Sequence, residues 1–215
     1  MPETKSDFDL RPARPSDLAA VGYISHQTGL LGEPITRYFP DQSLWTDAFV
    51  APYFASGCCN LAAEKNGRVV AYIIGNCRHE QLESYVAGKL PKILLSRWLK
   101  GAYPAWRREL GYLWRAWRSQ GHDAPWDEYP AHLHINALPQ ARGLGVGSAL
   151  LERFLDCLRR QGVAGVQLGT TERNAAALRL YRKFGFEVYQ RYRSSFWKPV
   201  LGEALWHLRL VKKLR

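Results

Sequence analysis

Hydrophobic and polar side chains alternate over several short stretches of the chain, and this alternation predicts β-strands. The clearest stretch spans residues 131–138, where side chains on the two faces differ in character. Its apolar face carries Leu133, Ile135 and Ala137, and its polar face carries His132, His134 and Asn136. Weaker stretches of the same kind predict strands at residues 8–11, 60–64, 68–74 and 166–170. Asn66 and Gly67 separate two of these strands and predict a hairpin turn, since both residues tolerate a positive φ.

Helices are predicted where apolar residues recur every three or four positions. A helix that begins near Gly147 and ends at Gly162 would bury one face, made of Leu150, Leu151, Phe154, Leu155 and Leu158. A second amphipathic pattern consists of Trp106, Leu110, Leu113, Trp114 and Trp117. Residues 15–17 (Pro-Ser-Asp) would cap a helix near the start of the chain. The aromatic stretch 35–54 is also predicted to be helical.

Length and composition indicate one α/β (α+β) domain. The 215 residues and 47% hydrophobic content suffice for one sizeable core, so residues 1–215 are expected to form a single domain. A central mixed, mostly antiparallel sheet would be flanked by helices. No long uncharged apolar run and no signal-peptide pattern is present, so we expect a cytoplasmic protein.

The four cysteines, Cys58, Cys59, Cys77 and Cys157, lack C-x-x-C spacing. In a cytoplasmic protein, such cysteines are expected to be reduced thiols. The adjacent pair Cys58 and Cys59 is poorly suited to bond with itself. The six histidines show no paired metal spacing with these cysteines, and we therefore expect no metal.

Residues 79–130 form a basic, tryptophan-rich segment that is predicted to be a helical insertion. From Lys89 to Arg118 eight Lys or Arg residues face one acid, Glu109, so this segment supplies a net +7 of the formal charge of +11. Three interpretations are open: a lid over a substrate, a packing or dimer element, and a membrane or nucleic-acid surface. A lid is favoured, and it would bury Trp106 and Trp114. We expect no nucleic-acid partner, because no nucleic-acid motif accompanies the charge.

The most informative segment is the glycine-rich junction between strand 131–138 and the helix that follows it. Gly143, Gly145 and Gly147 would let backbone N–H groups approach an anion, and the helix N-terminus would add its unpaired N–H groups. The junction lacks the Lys of a P-loop and the G-x-G-x-x-G spacing of a Rossmann fingerprint. The predicted ligand is a pyrophosphate held largely by backbone.

Read as Arg142-x-x-Gly145-x-Gly147, with Pro139 upstream, the junction resembles the acetyl-CoA loop of the GNAT N-acetyltransferase superfamily. A register two residues earlier, starting at Gln140, also fits, and Pro139 favours the first. A second resemblance lies downstream, where Asn174 is followed seven residues later by Tyr181 and then by Gly185-Phe186. Together the two signatures cover residues 131–189 closely.

The resemblance implies roles for several residues. The backbone of the strand would hold the thioester carbonyl, with Asn136, Ala137 and Leu138 along the pantetheine. Tyr181 would protonate, or hydrogen-bond, the departing sulfur. Asn174 would contact the cofactor or serve only as a helix N-cap. The pyrophosphate cradle would consist of Arg142, Gly143, Leu144, Gly145, Val146, Gly147 and Ser148.

The general base is the least defined of the implied groups. Family members often carry a carboxylate on this strand, and this chain has none there. His134 is the first candidate because an unperturbed imidazole has a pKa near ~6.5, and His132 and Glu172 are alternatives. A purely structural histidine is the competing interpretation for His134.

Within the superfamily, residues 132–139 and 165–170 look like bacterial proteins similar to the acetyltransferase-like domain of O-GlcNAcase. An acid occupies the position of Asn136 in that group, so this chain departs from it. The function implied is acetyl transfer from acetyl-CoA to a primary amine of a small molecule or peptide, by a monomer or homodimer. The alternative is an acetyl-CoA-binding protein with little transferase activity. The basic charge favours an acidic or neutral acceptor.

Overall fold

A computed structural model describes residues 8–119 and 122–215 of the chain. The first seven residues of the predicted domain, and residues 120–121 of the predicted insertion, lie outside the described residues. Seven strands form one sheet: β1 (Asp9–Pro12), β2 (Leu61–Lys65), β3 (Arg68–Asn76), β4 (Ala131–Ala137), β5 (Gly165–Thr171), β6 (Glu187–Ser194) and β7 (Leu205–Lys213).

The described helices are α1 (Leu18–Thr28), α2 (Gln42–Trp45), α3 (Ala51–Ser56), α4 (His79–Gly88), α5 (Leu90–Leu99), α6 (Trp106–Arg118), α7 (Val146–Arg160), α8 (Ala175–Lys183) and α9 (Lys198–Leu201). A π-helical turn, Thr46–Val50, joins α2 to α3, and 3₁₀ turns occupy Pro15–Asp17 and Pro139–Ala141. No helix in the described residues is both long enough and apolar enough to cross a bilayer.

The strands are ordered β1-β2-β3-β4-β5-β7-β6, and every neighbouring pair is antiparallel except β4 and β5. This arrangement confirms the predicted α/β class with a mixed, mostly antiparallel sheet. The parallel pair is also the least complete, since pairing is limited to Ala131 with Val166 and His132 with Gln167. Beyond these two rungs the strands diverge and leave a gap in the middle of the sheet.

Two apolar clusters lie on opposite faces of the sheet. The first is packed beneath α7, whose Leu150, Leu151, Phe154, Leu155 and Leu158 are all buried as the helical period predicts. The second lies on the face covered by α1–α3 and the insertion, and its members are largely aromatic. β4 lies between the two clusters. Leu133 therefore faces the first cluster, and His132 and His134 face the side of the sheet that carries the second cluster.

The predicted insertion is helical, and it comprises α4, α5 and α6 in the described residues. The predicted buried stripe on α6 is partly wrong: Trp106 and Leu113 pack on the second cluster, whereas Leu110, Trp114 and Trp117 are exposed. The buried face of α6 is instead centred on Glu109 and Tyr112, because Glu109 accepts a hydrogen bond from the backbone N–H of Asp41. A lid that buries Trp114 is therefore not what the structure contains.

The expectation of reduced cysteines is also wrong. Disulfides join Cys58 to Cys77 and Cys59 to Cys157, with Cα–Cα separations of 5.7 and 5.9 Å. Both separations fall in the usual range for disulfides. The β2–β3 hairpin brings Cys58 beside Cys77, and α7 crosses the start of β2 so that Cys157 meets Cys59. Spacing along the chain could not reveal the Cys59–Cys157 pair, because that pair depends on how α7 packs on the hairpin.

Candidate active site

The loop between β4 and α7 forms an open backbone cradle. Gly143 and Gly145 have φ values of 76° and 82°, a region that residues with a Cβ rarely adopt. A Cβ at either position would meet nothing within 4 Å, so the glycines are required for conformation and the space above them is empty. The loop therefore presents backbone N–H groups to a space large enough for an anion.

The first turn of α7 lies directly beside this cradle. Ala149 is the first residue whose N–H bonds back into the helix, to Gly145, so the N–H groups of Val146, Gly147 and Ser148 are free of helical partners. Val146 is buried in the first cluster and anchors the turn. Because the positive end of the helix dipole points the same way, these N–H groups favour an anion.

The side chain of Arg142 braces the loop from behind. Its Nε donates to the carbonyl of Ala137 at 3.0 Å, and a terminal nitrogen donates to the carbonyl of Gly32. The guanidinium thus ties the end of β4 to the segment after α1. Leu144 is the next cradle residue but one, and its side chain is exposed.

The edge of β4 that faces the gap carries unpaired backbone groups. Leu138 N donates to Val70 O at 2.9 Å, and in an antiparallel ladder the hydrogen-bonded pairs alternate with non-bonded pairs. The N–H groups of Ile135 and Ala137 therefore point away from β3 and into the gap. An extended ligand lying in the gap could bond to this edge as an added strand does.

Tyr181 approaches the gap from α8. Its side chain is buried beside Phe186 at a ring separation of 5.4 Å, and its hydroxyl makes no hydrogen bond within the described chain. Burial raises the pKa of Tyr181 above its usual value, and the nearby hydroxyl of Tyr72 adds to this effect. At neutral pH the hydroxyl is protonated and is a potential donor.

Asn174 serves as the N-cap of α8. Its Oδ1 accepts from Ala177 N at 3.2 Å, which satisfies one of the free N–H groups of the helix. The helix start is thereby fixed seven residues before Tyr181. The Asn174 amide NH₂ has no hydrogen-bond partner in the part of the chain that the structure describes.

On the polar face of β4, two histidines share one tyrosine hydroxyl. The hydroxyl of Tyr53, from α3, lies 3.2 Å from His132 Nδ1 and 3.0 Å from His134 Nε2. The surrounding protein and the charge of Arg209 lower the pKa of His134 to about 4, although over a third of the residue is open to the cleft. Both effects favour the neutral imidazole, so His134 is uncharged at pH 7 and able to accept a proton. The same causes, together with His134, hold the pKa of His132 well below its usual value.

Two further predicted positions are held by neighbours. The amide of Asn136 donates to the hydroxyl of Tyr72 at 2.8 Å, which turns this side chain toward α1. Glu172 forms a two-pronged ion pair with Arg191, and this pair lowers the pKa of the exposed carboxyl. Glu172 is therefore poorly suited to act as a base in the gap.

A sequence model described as the acetyltransferase (GNAT) family matches residues 32–186, well over half of the chain. The chain belongs to this acetyltransferase family. The matched region contains the cradle, the gap between β4 and β5, and Tyr181, so the geometry described above falls in the part that defines the family.

Curated relatives match only locally. A mycothiol acetyltransferase from Geodermatophilus obscurus is 37% identical over 89 residues, which is 40% of this chain and 28% of that protein. The chain therefore aligns with less than a third of the length of that acetyltransferase.

Solved structures match over nearly the whole chain. The structure named SsHAT is 26% identical, with a TM-score of 0.74 over 97% of this chain and 98% of that one. A GNAT superfamily phosphinothricin acetyltransferase from Sinorhizobium meliloti, in complex with AcCoA, is 16% identical. Its TM-score is 0.59, with 96% of this chain and 88% of that chain covered. The second likeness shows the GNAT fold alone, and the similarity to the acetyltransferase-like domain of O-GlcNAcase stays a prediction.

Tyr53 is not among the site residues predicted from the sequence. A signal was present, because Tyr53 falls in the aromatic stretch 35–54 that precedes the hairpin. That stretch contains six aromatic residues of similar appearance, and only the fold shows that the hydroxyl of Tyr53 reaches β4.

Proposed function

We propose that this GNAT protein is an N-acetyltransferase that moves an acetyl group from acetyl-CoA to a primary amine of a small molecule or peptide. The observation that carries the proposal is the early end of β4–β5 pairing, which opens a gap between two unlike surfaces. One surface is the free edge of β4 with the anion cradle at its end, and the other is the polar face of the same strand, with its neutral histidines. A thioester on the first surface and an amine on the second would meet in the gap.

The cradle residues 142–148 suit the pyrophosphate of acetyl-CoA, because space over Gly143 and Gly145 is open and free N–H groups line it. Acetyl-CoA would supply the activated acetyl group as a thioester. The Ile135 and Ala137 N–H groups are oriented to hold the pantetheine and the thioester carbonyl. The free amide NH₂ of Asn174 is available to the same ligand, and Asn136 and Leu138 would flank it.

Tyr181 is proposed to donate its proton, or a hydrogen bond, to the departing sulfur. Its hydroxyl is protonated at neutral pH, has no hydrogen-bond partner among the described residues, and lies near the gap beside Tyr72. A donor that is not already engaged needs no rearrangement before it meets a developing thiolate.

His134 is proposed to take the proton from the amine, directly or through water. Its lowered pKa keeps the imidazole neutral at pH 7, so that a ring nitrogen can accept a proton. The same lowered pKa makes the imidazole a weaker base. The hydroxyl of Tyr53 bonds to both imidazoles and would hold the His134 ring in place, and the proton would leave His134 to water in the cleft. The sequence predicts an unperturbed imidazole pKa of about 6.5 for this base, and the surroundings of His134 in the fold lower that pKa.

The test is turnover by Tyr181→Phe, measured as CoA release with a panel of primary amines. We expect kcat to fall roughly 10²–10⁴-fold while acetyl-CoA affinity stays nearly unchanged, because only a proton donor is lost. Tyr23→Phe, which makes the same change at an exposed position of α1, is the control. Unchanged kcat in Tyr181→Phe would remove the residue from the chemistry. A failure of every amine to release CoA above hydrolysis would favour an acetyl-CoA-binding protein instead.

A further inference from the structure

A cavity of about 760 Å³ opens between α6 of the insertion and the connection from β6 to β7. Its lining includes four cations, Arg115, Arg118, Arg193 and Lys198, and no carboxylate. Trp114 and Phe196 add flat apolar surface to the same walls. A cavity of this charge and size is suited to an anionic organic ligand.

The four cations differ from nearby arginines in having no acidic partner. Arg191 pairs with Glu172 and Arg173 pairs with Glu203, both close to the same end of the sheet. None of the four cavity cations forms an ion pair within residues 8–119 and 122–215. Positive charges gathered in a concave site without counter-charges raise the local potential for an anion.

Arg115 is the most informative of the four. Its Nε is fully buried and has no hydrogen-bond partner in the described chain, while its guanidinium lies 6.0 Å from the ring of Tyr112. A buried donor without a partner is costly, and rotation of the guanidinium toward a ligand oxygen in the cavity would relieve that cost. This donor is an observation independent of the net charge of the cavity.

The cavity adjoins the polar surface of the gap. His122 and Tyr192 belong to its lining and stack on each other with ring centroids 3.7 Å apart. Arg209 donates to the carbonyl of His122, and its charge also acts on His134. Arg209 thus links the cavity wall at His122 to the surroundings of His134.

Resting on the proposed N-acetyltransferase function, we propose that this cavity binds an oxyanion carried by the acetyl acceptor. The carboxylate, phosphate or sulfate of a small amine would be held by Arg115, Arg193 and Lys198, and its amine would extend past Tyr192 toward His134. The insertion then contributes to acceptor selection through α6, and the exposed Trp114 forms a wall of the cavity.

The experiment compares ω-amino carboxylates of increasing chain length with alkylamines of equal length. Binding is measured by calorimetry in the presence of acetyl-CoA's unreactive analogue, desulfo-CoA, and turnover is measured separately as CoA release. Wild-type protein should bind at least one amino carboxylate at least about tenfold more tightly than its matched alkylamine, since a hydrogen bond to a charged group is worth that much. Equal binding of every matched pair would overturn the proposal.

Two variants test whether the cavity itself is responsible. Arg193→Met/Lys198→Met removes two exposed cavity cations and should abolish the preference, and Arg115→Met should reduce it. The control, Lys92→Met/Arg107→Met, removes the same charge from exposed positions of the insertion outside the cavity and should keep the preference. An equal loss in the control would show a general charge effect and overturn the proposal.

Failure of this proposal is distinguishable from failure of the acetyltransferase function. Acetylation of alkylamines without any preference for amino carboxylates would keep the function and reject the anion site. Cavity-dependent binding of amino carboxylates without acetylation of any amine would keep the anion site and reject the function.

Discussion

Side chains pack differently on the two faces of the sheet, and the comparison shows which kind of packing can be predicted from the sequence. On the face covered by α7, mostly apolar side chains fill the space, and the helical period predicts five of the six buried positions of the helix, Val146 being the sixth. On the face covered by the insertion, polar and aromatic contacts decide the packing. There, the carboxyl of Glu109 is completely buried while Trp117 is 68% exposed, the reverse of what hydrophobicity favours.

The aromatic contacts explain why α6 turns as it does. Tyr112 lies edge-on to Phe39 at 5.3 Å and to Phe196 at 5.0 Å, so its ring fills the centre of the second cluster. Glu109, one turn earlier on the same face, bonds to the backbone N–H of Asp41. These two contacts leave Leu110 and Trp114 exposed, and Trp114 forms part of the cationic cavity.

The largest expected effect is on the free energy of unfolding, and it differs between the two faces. Phe154→Ala should lower the free energy of unfolding by about 3–5 kcal/mol, because it opens a cavity in the apolar cluster beneath α7. Trp117→Ala should change it by less than about 0.5 kcal/mol, since the ring is exposed. Denaturant unfolding of both variants checks the comparison. Similar losses would show that α6 buries Trp117 in solution.

The next effect concerns the proposed base. His134→Gln should lower kcat roughly 10²-fold with little change in acetyl-CoA affinity. Because the pKa of His134 is lowered to about 4, the wild-type pH profile of kcat/KM should show no inflection near 6.5. Its rise should instead follow deprotonation of the acceptor amine. An inflection near 6.5 that His134→Gln removes would contradict the lowered pKa.

A smaller effect tests the buried carboxyl of the insertion. Burial raises the pKa of Glu109 from 4.5 to about 7. Between these two pH values the folded state holds a proton that the unfolded state has lost. The contribution of this carboxyl to stability is therefore fully present below about pH 4.5 and is lost as pH rises through about 7. Glu109→Gln should flatten this fall and stabilise the protein by about 2 kcal/mol at pH 8.

Thermal unfolding from pH 5 to pH 8 measures the effect of Glu109→Gln, with Glu152→Gln on the exposed face of α7 as the control. The same pH dependence in the wild type and in Glu109→Gln would show that another group is responsible.

Local patterns were sufficient for β1–β5, α7 and the glycine loop, whereas alternation did not predict β6 and β7. Alternation over residues 131–137 and the positive-φ requirement at Gly143 and Gly145 are both encoded within a few positions of the chain. The paired cysteines, the Tyr53 contact with β4 and the orientation of α6 were not predictable. Each depends on side chains far apart in the sequence, such as Cys59 and Cys157, whose proximity exists only after the elements pack.

The central claim is that the backbone cradle binds the pyrophosphate of acetyl-CoA. Isothermal calorimetry of the wild type and Gly145→Glu tests it most directly, with Gly88→Glu on the exposed end of α4 as the control. We expect micromolar or tighter binding by the wild type and the control. Gly145→Glu should abolish binding, because a side chain and a negative charge would enter the cradle at a positive φ. Unchanged binding by Gly145→Glu, or no binding of acetyl-CoA by the wild type, would contradict the account.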